Sequence, residues 1–300
     1  MAILVVGSTG LVGGEIALKL QRRGHKVGAL VRGGSSNARA KRLLEAGVEV
    51  IDGDLTCSET VASACKGVEI VISTATSMPS GANDGLRRVD HEGTLALIDA
   101  ATRQNVKRFV YVSYSGNIRE DSPLESAKRG CEHRLLAGTT EAVILRPSYF
   151  MEMWLSAALG FDPVNGAVRI YGSGDAKVSY ISASNVADFA VTAATREYAN
   201  KNTILEMGGP EALSQREAVR IFEQALNKRI KMDEVPFEAI EAQHRSSDPL
   251  QKSFGGLILA YVKGDVVKEA AALAHKYGIR LRSVSEYASG FRAQVAGDDA

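Results

Sequence analysis

The chain has 300 residues, 45% hydrophobic and 24% charged, with 36 Lys and Arg against 35 Asp and Glu for a formal net charge of +1. That length suits one large α/β unit, or a nucleotide domain with a smaller lobe. The balanced charge removes any electrostatic case for nucleic acid or an anionic membrane as partner, and no apolar run is long enough to span a bilayer.

The first apolar run, Ile3-Leu4-Val5-Val6, is short and rich in β-branched residues, as a buried parallel strand is. It lacks the basic flank of a signal peptide. Gly7-Ser8-Thr9-Gly10-Leu11-Val12-Gly13 follows, with glycines at 7, 10 and 13. The first suits a tight turn, the second a backbone that approaches a pyrophosphate, the third a helix packed close on the strand. Val12, Ile16 and Leu20, with Ala17, give the next segment one apolar helical face, and Gly24 stops it. The N-terminus of that helix offers unpaired N–H groups and a positive dipole end to phosphates. Val27 to Val31 reads as a second strand. It ends at Arg32, with no acid between Glu15 and Glu45, and Arg39, Lys41 and Arg42 follow. An NAD site usually carries an acid at this strand end for the ribose hydroxyls. A guanidinium instead clamps a 2′-phosphate, so the spacing points to NADP(H). The competing reading is a solvated basic face.

Further along, the pattern predicts a helix over 37–46, a strand over 48–51 leading to Gly53-Asp54-Leu55, and a helix opened by a Thr56/Glu59 capping box. A strand over 68–73 ends in Thr74-Ala75-Thr76. A long helix over 86–104 precedes a strand over 106–112, which ends at Ser113-Tyr114-Ser115-Gly116. Ser122-Pro123-Leu124-Glu125 opens a helix carrying Lys128, Glu132 and His133, and a strand over 142–145 ends at Arg146-Pro147. Strand and helix alternate throughout, so the prediction is a doubly wound, mostly parallel Rossmann sheet with its ligand crevice beyond the carboxyl ends of the strands. That unit is placed at 1–149. Residues 150–300 are read as a smaller α+β lobe on the substrate side, closely packed on the first and not folding alone. Within it, a short strand is expected over 178–181, with helices over 184–196, 214–227 (opened by a Ser214/Glu217 box), 238–244, 250–262, 265–277 and 283–291. Gln294 to Ala300 reads as a frayed tail.

Cys57, Cys65 and Cys131 form no CxxC pair, and so sparse a set fits a reducing cytoplasm. His25 and His91 have no partner spacing for metal or triad chemistry, and no metal site is expected.

The chain resembles the atypical short-chain dehydrogenase/reductases, and within them the NmrA-like NAD(P)-binding proteins. The resemblance rests on Val6-Gly7-Ser8-Thr9-Gly10-Leu11-Val12-Gly13, Leu30-Val31-Arg32, Gly53-Asp54-Leu55 and Gly93-Thr94 with Ile98-Asp99-Ala100-Ala101. It continues through Val106 to Ser113, Lys128, Ile144-Leu145-Arg146-Pro147, Phe150, Val178-Ser179-Tyr180-Ile181 and Asn185-Val186-Ala187-Asp188. It implies pyrophosphate on the backbone of Gly7, Ser8, Thr9, Gly10, Leu11 and Val12, and 2′-phosphate on Arg32. Asp54 and Leu55 would border the adenine, and Thr74 and Ala75 would line the ribose and nicotinamide side. Ser113 and Lys128 would face the nicotinamide, with Pro147, Tyr149 and Phe150 nearby. It departs at one place. The tyrosine that the common short-chain signature holds four residues before the lysine is Leu124 here, and a leucine exchanges no proton.

Three readings follow. Lys128 serves directly, as in relatives resembling isoflavone reductases; or the acceptor takes hydride with water supplying the proton; or the protein binds NADP(H) without turnover, as a redox sensor of the NmrA type or a scaffold. The first two make an NADPH-dependent oxidoreductase acting on a small carbonyl, enone or quinone. A protein partner enters only under the sensor reading. Lys128 could instead be a surface lysine paired with Glu132 one turn on. Ser113 could simply cap its turn. Tyr114 and Tyr149 are substitute proton donors or pocket walls, and Met151, Met153 and Trp154 line a pocket or fill the core.

Overall fold

A computed structural model of the chain describes residues 1–78 and 84–292, so the 294–300 tail lies outside the described residues. The first half runs β1 (Ala2–Val6), α1 (Leu11–Arg22), β2 (Lys26–Val31), α2 (Lys41–Glu45), β3 (Glu49–Asp52), α3 (Ser58–Ala64) and β4 (Ile70–Ser73). A loosely wound π-helical stretch, Leu86–Gly93, passes into α4 (Thr94–Arg103), followed by β5 (Arg108–Val112), α5 (Pro123–Ala137) and β6 (Glu141–Pro147). The second half holds α6 (Met151–Trp154), β7 (Phe161–Asp162), β8 (Ala167–Tyr171), α7 (Ala183–Thr195), β9 (Asn202–Met207) and α8 (Gln215–Leu226). β10 (Lys231–Val235), α9 (Phe237–His244), α10 (Pro249–Lys263), α11 (Ala270–Lys276) and α12 (Val284–Ser289) complete it. No described helix is long and apolar enough to cross a membrane.

Seven parallel strands form one sheet in the order β3-β2-β1-β4-β5-β6-β9. Both faces are covered, which is why β1 is apolar at every position. Ile3 and Val5 meet Ile16 and Leu20 of α1 and Val186 and Ala190 of α7, while Leu4 and Val6 join Val61 of α3, Leu97 of α4 and Leu135 of α5 on the other face. The order reverses between β1 and β4, so the crevice opens there. A second sheet, β10-β8-β7, is mixed, and its core joins Phe161, Val168 and Ile170 to Phe222 of α8 and to Ile258 and Tyr261 of α10.

Four expectations change. The helix predicted over 37–46 is two 3₁₀ turns and the five-residue α2, because Gly33 and Gly34 take positive φ and Asn37 turns the chain by accepting from the Arg39 N–H. The Thr56/Glu59 capping box does not form. Asp54 Oδ1 accepts from both the N–H and the hydroxyl of Thr56 at 2.8 Å, and the helix starts at Ser58 behind an uncapped Cys57. A carboxylate is the stronger acceptor and closes a local turn instead. Residues 178–181 make isolated bridges, Val178 to Leu213 and Asp265 and Ile181 to Phe150, so no continuous ladder builds a strand. Finally, no strand is expected between Arg196 and Ser214, yet β9 pairs with β6 over six residues. The 1–149 segment thus holds six strands of the main sheet, and the seventh returns from the second half.

Candidate functional site

The site is assembled from strand ends. Across six adjacent strands, β3 to β6, the residues at or within two positions of the carboxyl ends include Asp54, Arg32, Gly7, Thr74, Ser113 and Pro147. All six line one cleft of about 860 Å³. Of the residues that sequence reasoning placed at the site, Thr9, Gly10, Leu11, Val12, Leu55, Ala75, Lys128, Tyr149 and Phe150 line it as well. Ser8 does not. Its side chain is buried, and its hydroxyl has no hydrogen-bond partner among the described residues.

The glycine-rich turn has little room for anything but glycine. Gly7 sits at φ +86°, and a β-carbon there would lie 2.6 Å from Thr74 Oγ1 and 2.9 Å from the Ala75 nitrogen. A β-carbon on Gly13 would overlap the Gly7 carbonyl, so only glycine lets α1 start this close to β1. Gly10 is the N-cap of α1, and neither a side-chain cap nor an acid in the first turn occupies the helix N-terminus. At the end of β2, Arg32 and Arg39 are exposed on the cleft rim, and Asn37 donates to the Arg32 carbonyl at 3.0 Å, fixing the turn between them.

The opposite wall is built by α5. Ser122 caps it by accepting from the Glu125 N–H, and Pro123 occupies its first turn. Lys128 is 5% exposed, which rules out the surface-lysine reading. Glu132 is not its partner: Arg146 donates to Glu132 at 2.5 Å and Arg129 at 2.6 Å. Burial by itself would raise the Glu132 pKa, but the hydrogen bonds from Arg146 and the Arg129 charge outweigh it and hold it below the usual carboxylate value. The Lys128 ammonium lies 3.5 Å from the Ala75 carbonyl, 4.0 Å from Asp90 Oδ1 and 5.3 Å from the centre of the Tyr111 ring. Ser113 lines the cleft, with its hydroxyl enclosed and without a hydrogen-bond partner among the described residues. Leu124 packs into the wall where a tyrosine would stand.

Beyond Lys128 the cleft turns apolar, with Ile118, Met153, Trp154, Leu159, Phe254 and Leu257. The Trp154 and Phe254 rings are within 9° of parallel, and Tyr149 meets Trp154 edge-on. The Tyr149 hydroxyl donates to the Leu257 carbonyl at 2.9 Å, and burial pushes its pKa well up. Tyr114 lies under the Arg129 guanidinium and is also pushed up, chiefly by burial. Neither hydroxyl is poised to release a proton; both are walls. Phe254 and Leu257 escaped the sequence reading because α10 reaches the cleft only through tertiary folding. Asp90 and Ser77 escaped it too. The one signal for Asp90 was a carboxylate on the apolar side of its helix.

Fold and site together define a doubly wound α/β protein with a glycine-rich turn and an uncapped helix terminus at its switch point. The chain belongs to the NmrA-like family, which it matches over residues 1–255. It is 31% identical over 238 residues to the photosystem II assembly factor Ycf39 of Trieres chinensis, covering 79% of this chain and 72% of that one. It is 29% identical over 280 residues to the isoflavone reductase homolog IRL of Zea mays, covering 88% and 87%. The structure of an NADPH-dependent quinone oxidoreductase from Escherichia coli, solved with NADPH, superposes with a TM-score of 0.78 over 97% of this chain and 99% of that one; at 19% identity the likeness is one of fold.

Proposed function

We propose that this chain is an NADP(H)-dependent oxidoreductase that reduces a small, flat carbonyl, enone or quinone-type acceptor. The reading is carried by the two-ended cleft, with phosphate-seeking groups at one end, a buried lysine in the wall and an aromatic pocket at the other. The residues fit a dinucleotide. Gly7 and Gly13 leave space that a β-carbon would fill, the free helix terminus suits a pyrophosphate, and Arg32 with Arg39 suits a 2′-phosphate.

The bound nucleotide would supply hydride. Thr74 and Ala75 hold the floor beneath it, and Trp154, Phe254 and Leu257 exclude water and align a planar acceptor. Lys128 holds a proton at Nζ for the acceptor oxygen, since Leu124 offers none. Ser113 offers a hydroxyl at the cleft wall beside Lys128.

Leu124 also favours a second reading, an NADP(H)-binding sensor or assembly protein without turnover, and the likeness to a protein named as an assembly factor supports it. The deciding experiment follows NADPH absorbance over a panel of quinones, enones, aldehydes and ketones, with NADH in parallel. Saturable, heat-labile NADPH consumption is expected, and Lys128→Ala should lower it about 100-fold with NADPH still bound. Tight NADPH binding with silence across the panel favours the sensor.

A further inference from the structure

Asp90 is a carboxylate in an unusual place. It is fully buried, on the π-helical stretch 86–93 between Val89 and the α4 start. Its Oδ2 accepts from the Ser77 N–H at 2.8 Å and the Ser77 hydroxyl at 2.6 Å. Its Oδ1 has no hydrogen-bond partner among the described residues, and the nearest cation to it is Lys128, at 4.0 Å. A buried acid half-satisfied in this way is costly unless a charge answers it. The π winding fits this arrangement. The wider turn re-aims the side chains within it, and here the Asp90 carboxylate faces Lys128 of α5 while the Asp90 backbone carbonyl accepts from the Cys131 thiol at 3.5 Å.

Resting on the reading that Lys128 serves the acceptor, we infer that Asp90, anchored by Ser77, is a positioning residue that holds the Lys128 ammonium against the cleft wall. The Lys128 Nζ lies over the Tyr111 ring and close to both Ala75 O and Asp90 Oδ1, and an ammonium with three N–H groups keeps a donor for the cleft. With leucine at residue 124, Asp90 is the one carboxylate within 4.0 Å of the ammonium among the described residues, and it acts together with the Ala75 carbonyl at the strand end. Ser77 lines the cleft and Asp90 sits behind it, so the anchor reaches from the cleft surface to the lysine through two hydrogen bonds and one ion pair.

The test uses Asp90→Asn in the full chain, which keeps the volume and the acceptor for Ser77 but removes the charge. Amine acetylation read by peptide mass spectrometry reports the lysine directly, with no need for turnover. Lys128 is expected to react about tenfold faster in the variant, with exposed Lys26 unchanged and NADPH affinity within about threefold. With an active acceptor, kcat should fall about tenfold at little change in acceptor KM. Ser77→Ala, which loosens the anchor but keeps the charge, should move the Lys128 labelling rate the same way, by about threefold, and serves if Asp90→Asn does not fold. Wild-type labelling of Lys128 in both variants, or in the one that folds, overturns the assignment. Absence of turnover in the wild type tells instead against the oxidoreductase reading, and the labelling result then stands by itself.

Discussion

Arg32 carries the cofactor choice. It is exposed at the end of β2, with Arg39 on the same cleft rim; no acid lies between Glu15 and Glu45 in the chain, and the neighbouring acids Asp52 and Asp54 belong to β3 and the turn after it. Arg32→Ala is expected to weaken NADPH about 30-fold and NADH by less than about threefold, read by fluorescence titration. Equal losses would remove the 2′-phosphate argument. Gly13 carries the geometry. A methyl group there strikes the Gly7 carbonyl, so Gly13→Ala should cost about 2 kcal/mol or more in urea unfolding, because backbone and not a pliable side chain stands in the way. Gly7 and Gly13 were legible from spacing alone, since their demand is local: one turn and one close approach. Lys128 was legible as a position but not as an environment. Its burial depends on the π-helical stretch and on β5, neither of which its own helix reveals.

At the scale of elements, the loop after β5 is held by charge. Arg129 donates to the carbonyls of Ser115 at 2.7 Å and Tyr114 at 3.3 Å, Glu206 of β9 accepts from the Gly116 N–H at 3.0 Å, and Ser115 and Asn117 both donate to Asp265. Glu132 joins the two arginines beneath that loop. Removing its charge leaves Arg129 without a carboxylate partner among the described residues, while Arg146 keeps Glu206 at 2.9 Å, so Glu132→Gln should cost about 2 kcal/mol. The pH dependence follows in sign. The folded pKa of Glu132 lies below its ordinary value of 4.5, so its stabilisation is complete above that value and is lost as pH falls through the depressed one. Melting temperatures of the wild type should therefore drop below pH 4.5 more steeply than those of Glu132→Gln. Matching slopes would place the acid sensitivity elsewhere. The strands of this layer were readable because both faces of a parallel sheet are buried and their runs are apolar. β9 was not, since Glu206 interrupts it and edge position leaves Ile204 exposed.

Over the whole molecule, the two halves are interlocked. α7 packs its buried face, Val186 to Ala194, on α1 and the main sheet, Lys19 of α1 reaches Asp188 at 2.6 Å, and β9 covers the edge of β6. A fragment of residues 1–149 would expose that edge and the α1 face. It is expected to show no cooperative thermal transition, whereas the full chain should melt in one; a folded fragment that binds NADPH would refute this.

By itself the sequence determined six of the seven parallel strands, the glycine-rich turn, the basic strand end and the absence of a tyrosine at 124, because each is set by periodicity, by backbone sterics or by residue identity within a short span. Only the tertiary structure decided that Lys128 faces Asp90, that Glu132 belongs to Arg146 and Arg129, and that Phe254 and Leu257 close the apolar end. Apart from Arg129 and Glu132, one helical turn apart, these contacts join residues 14 positions apart for Arg146 and Glu132 and 108 for Tyr149 and Leu257, and no local pattern encodes which distant surfaces burial will bring together.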